Sequence, residues 1–172
     1  ALAEPSEYRT TVHNLRLDQD LSFATFTATV ARHEKRFAGT EDFSSLLPPS
    51  LGPAEFFEPG STRGNTVEAR LASLPGTRLE YLVGVFHDST DELITDYLVA
   101  PNAAAAFGTP VLLVAPVRIT GKESAVFGEG AWHFSDAWKI TLGGRYFDTR
   151  LSTDTASSGP LVGAATDVAG KS

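Results

Sequence analysis

Side chains able to bind metals or carry out catalysis are few in this chain and widely spaced. Histidines stand at positions 13, 33, 87 and 133, and there is no cysteine. Transition-metal sites need several convergent nitrogen or sulfur ligands. None of these histidines falls in such a spacing, so neither a metal nor a cofactor is expected. Asp88, Asp91, Glu92 and Asp96 form an acidic cluster. They lack the alternating Asp order and glycine of a calcium loop, and the cluster reads as a solvated loop. Ser, His and Asp all occur, but not in a Gly-x-Ser-x-Gly nucleophile elbow. Gly128-Glu-Gly130 is followed by no helix start, so it is not a phosphate cradle. The chain is therefore not expected to be an enzyme. The recurring chemical feature is a charged residue set between apolar ones, as at Arg16, Glu68, Arg70, Glu129, Lys139 and Arg145.

That interleaving needs strands, whose successive side chains point to opposite faces. It is clearest from Lys122 to Phe147. Trp138, Ile140, Leu142, Gly144 and Tyr146 alternate with Lys139, Thr141, Gly143 and Arg145, and Phe147 is the one apolar exception. Before them, Val126, Gly128, Gly130, Trp132 and Phe134 alternate with Ala125, Phe127, Glu129, Ala131 and His133. Trp132, Phe134 and Trp138 cluster at a short turn, Ser135-Asp136-Ala137. Aromatic rings at strand ends are what a membrane interface selects.

The same pattern predicts strands over residues 8–21, 22–36, 65–73 and 78–88. The expected hairpins are about 8–36, 65–88 and 118–151, in a single segment spanning 1–172. Their tight turns fall near Asp20, Gly76 and Asp136, at spacings of 56 and 60 residues. Prolines 48, 49, 53 and 59 make 38–64 a long loop, and 91–117 reads as a second one. Residues 152–172, rich in Ser, Gly, Ala and Thr, also read as loop. The apolar run 99–117 is interrupted by Pro101, Pro110 and Pro116, which argues against a membrane helix. A chain of 172 residues is long enough for one domain. Its net charge of -7 argues against a nucleic-acid partner, which needs a basic face. The start, Ala1-Leu-Ala-Glu-Pro5, has neither the basic residues nor the apolar run of a signal peptide. The fold class is all-β, with about six long antiparallel strands in hairpins, short turns at one end and two long loops at the other. That is the pattern of a transmembrane barrel.

Three stretches resemble the TonB-dependent outer-membrane receptors. Val67-Glu-Ala-Arg-Leu-Ala-Ser-Leu-Pro-Gly76 is similar to a barrel strand entering a periplasmic turn. Leu79-Glu-Tyr-Leu-Val-Gly-Val-Phe86 is similar to the strand leaving it. Ser124-Ala-Val-Phe-Gly128 with Trp138-Lys-Ile-Thr-Leu-Gly-Gly-Arg-Tyr146 is similar to the next hairpin. The likeness runs over roughly residues 8–150. No plug domain or TonB-contacting segment is recognisable, so the chain is expected to be a segment of the barrel. The resemblance implies energised uptake of a scarce nutrient, such as a siderophore or other metal chelate, across the bacterial outer membrane. It implies contact with outer-membrane lipid, a small-molecule ligand, and TonB acting through regions outside this chain. On this reading Arg16, Glu68, Arg70, Glu129, Lys139 and Arg145 face the lumen. Trp132, Phe134, Trp138 and Tyr146 lie at the membrane interface. With two open strand edges, the isolated chain is expected to self-associate. The rival architecture is a soluble, lipocalin-like binding barrel, with its apolar residues inside.

Overall fold

A computed structural model describes every residue except Ala1, Asp136 and Ser172; the side chains of 164–167 and Lys171 also lie outside the description. The chain forms one antiparallel sheet in which the seven strands lie in sequence order, each paired with its chain neighbours. They are β1 Ser6–Asp20, β2 Ala24–Asp42, β3 Glu55–Ser73, β4 Leu79–Val99, β5 Val111–Ser135, β6 Trp138–Gly159 and β7 Gly163–Lys171. β1 and β7 are its edges. Thr, Val and aromatic residues recur along β2 to β6, and they pack well on a pleated surface.

The short turns lie close to their predicted places. The β3–β4 turn is Leu74-Pro-Gly-Thr-Arg78, with Gly76 at φ 80°, a value glycine adopts without strain. The β1–β2 turn is Leu21-Ser-Phe23, slightly later than expected. β5 ends at Ser135 and β6 begins at Trp138, as the third turn requires; the predicted turn residue Asp136 lies outside the described residues.

The strands run well beyond the predicted hairpins. The long loops expected at 38–64 and 91–117 shrink to 43–54 and 100–110. The tail read as loop contains the end of β6 and all of β7, so the sheet has a seventh strand. Two physical causes hid these extensions. First, the two faces lose contrast there, 88–96 being mostly polar on both and 111–117 apolar on both; Asp88 to Asp96 is strand, not loop. Second, Pro59 and Pro116 sit inside strands. Each lies where one ladder is interrupted: β3–β4 pairing skips residues 58 and 59, and β5–β6 pairing skips 115 and 116. A residue without an N–H donor is tolerated at such irregularities.

The loop end carries the small apolar core. Ala54, Leu98, Ala100, Ala103 and Leu112 are buried there, with Phe43, Leu47, Leu51 and Phe56 packed around them. Phe43 stacks on Phe56 at 4.8 Å between ring centroids. The four-residue helix α1, Ala104–Phe107, belongs to this cap. Among the described residues no helix is long and apolar enough to cross a membrane, which says nothing about strands.

Candidate functional site

Residues directly opposite in an antiparallel ladder share a face. The register therefore sorts side chains into two sets across six strands. One set is apolar near the short turns. Its clearest row is Leu17, Ala28, Ala69, Val85, Val126 and Tyr146, one residue from each of β1 to β6. The next row toward the short turns holds Phe26, Leu71, Val83, Gly128 and Gly144. Little covers this face: Leu142 is 80% exposed, Tyr146 76% and Trp138 68%. Trp132 and Phe134 approach within 5.9 Å between ring centroids.

The apolar face has slanted borders. On β1, β2 and β3 its last apolar residues are Leu15, Val30 and Val67, followed by His13, Arg32 and Asn65. On β4, β5 and β6 it ends one row nearer the short turns, at Val85, Val126 and Tyr146. There His87, Ser124 and Asp148 follow. The opposite border steps the same way. The β5–β6 hairpin continues past Gly130 and Leu142 through Trp132 and Ile140 to Trp138. The two edges slant in the same direction, the short-turn edge further, so strand tilt of the kind barrel closure demands brings both nearer to level. From Trp138 to Tyr146 it spans about 27 Å along the strand at about 3.3 Å per residue. Strands tilted about 40° would reduce this to about 20 Å, close to the apolar height of an outer-membrane barrel.

The other face is charged. Arg16, Glu68, Arg70, Glu129, Lys139 and Arg145, on four different strands, all lie on it. The structure does not gather them into one cluster; all but Glu129 are held by local partners. Arg16 grips Asp18 at 2.7 Å, and Asp18 accepts the Thr27 hydroxyl at 2.7 Å. Arg70 lies 3.8 Å from Glu68. Arg145 pairs with Glu123 and lies 5.2 Å from the Phe86 ring centroid. Near the short turns Glu80 accepts the Gly76 N–H at 3.0 Å. It also lies 3.4 Å from His133 Nε2 and 3.9 Å from Lys139 Nζ.

Sequence reading missed how acidic this face is toward the loops. The cluster read as one loop is split by the strand period. Asp88, Glu92 and Asp96 point to the charged face, and Asp91 points to the other. Thr66 donates to Asp88 at 2.7 Å and Thr62 to Glu92 at 3.3 Å. Continued period-2 counting through Asp88–Asp96 was the signal available. The four histidines stand on four strands and two faces. Among the described residues no group of three or more His, Cys, Asp or Glu could hold a metal.

The rim beyond the band is pinned by Asp42. It accepts the N–H groups of Leu2 at 2.7 Å and Ser44 at 3.0 Å. These bonds and the Ser44 hydroxyl, the largest cause, lower its carboxyl to about 2.

Known proteins carry the same arrangement. The family model for the TonB dependent receptor-like β-barrel matches residues 2–170. The ferric yersiniabactin uptake receptor FyuA from Yersinia pestis superposes with a TM-score of 0.77 at 18% identity, over 97% of this chain and 24% of that one. The ferric citrate transporter FecA, in its unliganded form, superposes with a TM-score of 0.56 at 14% identity, over the same shares. No curated protein matches the sequence. The chain thus spans about a quarter of the length of both structures. With a family match along residues 2–170 and this fold, the chain belongs to the TonB-dependent receptor β-barrel family.

Proposed function

We propose that the chain forms part of the wall of an outer-membrane receptor that takes up a scarce nutrient, such as a siderophore or another metal chelate. Uptake is energised by TonB through regions outside this chain, and the role is transport rather than catalysis. The apolar face meets lipid. Trp132, Phe134, Trp138 and Tyr146 sit toward its edges, at the membrane interface. The charged face, with Arg16, Glu68, Arg70, Glu129, Lys139 and Arg145, lines the lumen. The observation that carries this reading is the exposed apolar band, because a soluble sheet has no need for a continuous uncovered apolar face whose borders both slant across the strands in the same direction. A soluble lipocalin-like barrel would turn the band inward and leave that slant unexplained. The chelate class is supported by the two similar structures, whose names are those of a ferric yersiniabactin receptor and a ferric citrate transporter.

Uptake of radiolabelled ferric chelates by cells producing the protein tests the function. We expect accumulation that stops when TonB is removed. Absence of any TonB-dependent chelate accumulation across a siderophore panel would sink the proposal.

A further inference from the structure

Beyond the apolar band, on the loop side of the same face, the sheet carries a basic belt in an otherwise acidic chain. One cross-sheet row reads His13, Arg32, Asn65, Ser89, Lys122 and Arg150, without a carboxylate. A row further toward the loops brings Arg9, Arg36 and Arg118, with the single carboxylate Asp154 opposite Arg118. Between them Glu34, Arg63 and Asp91 alternate in sign. The chain as a whole is at -7, so the positive charge here is a local concentration and not a general property.

Two placements within the belt need explanation. Lys122 stands directly opposite Arg150, and Arg9 directly opposite Arg36. Like charges directly opposite in a ladder are destabilising. Intrachain partners relieve this only in part: Arg150 reaches Asp148 at 3.2 Å and Arg9 reaches Glu7 at 3.8 Å, both highly exposed pairs. An anion lying between the two cations of each pair would turn repulsion into a shared contact. Phosphate suits this well, with several acceptor oxygens and strong pairing to Arg.

We propose that this belt binds phosphate groups of lipid headgroups in the leaflet on the long-loop side. The inference rests on the membrane reading of the apolar band. The band's border places Arg32 just outside the hydrocarbon, and Lys122 and Arg150 one row beyond His87, Ser124 and Asp148. That is headgroup depth, where long cationic side chains extend toward the interface. The belt also orients the barrel, because the short-turn border of the band has aromatics in place of cations.

The test is co-flotation of the 172-residue chain with two kinds of vesicle: phosphatidylcholine alone, and phosphatidylcholine containing phosphatidic acid. One variant carries Arg9→Gln, Arg36→Gln, Lys122→Gln and Arg150→Gln. A control carries Arg16→Gln and Arg70→Gln on the other face. Surface cations contribute roughly five-fold each toward anionic membranes. We expect the first variant to lose at least about ten-fold of the preference for acidic vesicles. The control should keep that preference, and excess inorganic phosphate should not abolish it. Equal preference in the first variant and the unmodified chain would overturn the inference, as would an equal loss in the control or full displacement by free phosphate. Partition into phosphatidylcholine alone reports on the apolar band separately. If the chain never binds neutral vesicles, the membrane reading fails; if it binds them with no preference for acidic ones, only the belt proposal fails.

Discussion

Leu142 and Arg145 lie three residues apart on β6 and in opposite environments. Leu142 is 80% exposed with nothing packed across it, while Arg145 is tied to Glu123 and lies over Phe86. The difference holds across the sheet. The apolar face has almost no internal partners, and the charged face is laced by Arg16–Asp18, Arg70–Glu68, Thr66–Asp88 and the Glu80 contacts. In a water-soluble sheet the apolar side is the one that packs. Here the polar side is internally satisfied and the apolar side is left for its surroundings. A sheet built this way expects a non-aqueous neighbour on its apolar side.

The contrast can be broken at the level of the whole chain. In water, the exposed apolar face and the β1 and β7 edges both favour association. Light scattering at several concentrations should show the isolated chain self-associating, and detergent should suppress this. A strictly monomeric mass at high concentration without detergent would mean that the apolar face is covered from within.

Single substitutions sharpen the comparison. Leu142→Arg should cost about 2–4 kcal/mol in folding into lipid vesicles, the penalty for Arg near the bilayer midplane. Lys139→Ala, on the opposite face, should stay within about 0.5 kcal/mol, as surface changes usually do. Folding titrations that returned the reverse order would exchange the two faces.

A smaller effect is expected within the charged face. A Cβ at Gly84 would run into the Phe127 ring, and the Ala69 carbonyl oxygen would lie 3.0 Å away. Gly84→Val should therefore destabilise by about 1–3 kcal/mol, the usual range for overpacking. The double variant Gly84→Val with Phe127→Ala should recover part of that loss. Denaturant midpoints in detergent would measure both.

The smallest effect lies at the rim. Asp42 is held at about 2, below its ordinary range, so its bonds contribute stability above that range. That contribution is lost as pH falls through roughly 4 toward 2. Protection of the Leu2 and Ser44 amides, that is exchange relative to the intrinsic rate at each pH, should fall over this window, and in Asp42→Asn it should not vary with pH there. Unchanged protection between pH 5 and pH 2 would show that these bonds do not hold the rim.

Near the short turns, the amino-acid sequence alone determined the strands, their hairpin order and the division of faces. Trp138–Tyr146 and Val126–Phe134 are apolar on one face only, so period-2 contrast is strong and each face is legible residue by residue. The family likeness was legible for the same reason, since it is carried by those hairpins. Toward the loops the contrast fades. Residues 88–96 and 152–159 are polar or mixed on both faces and 111–117 is apolar on both, so nothing local separates them from loop; only pairing with neighbouring strands makes them strands. Cross-strand register is likewise non-local. It alone decided that Lys122 stands opposite Arg150, and that both borders of the apolar band slant in the same direction across the sheet. Those facts arise from the alignment of ladders between segments far apart in the chain, which no window of sequence contains.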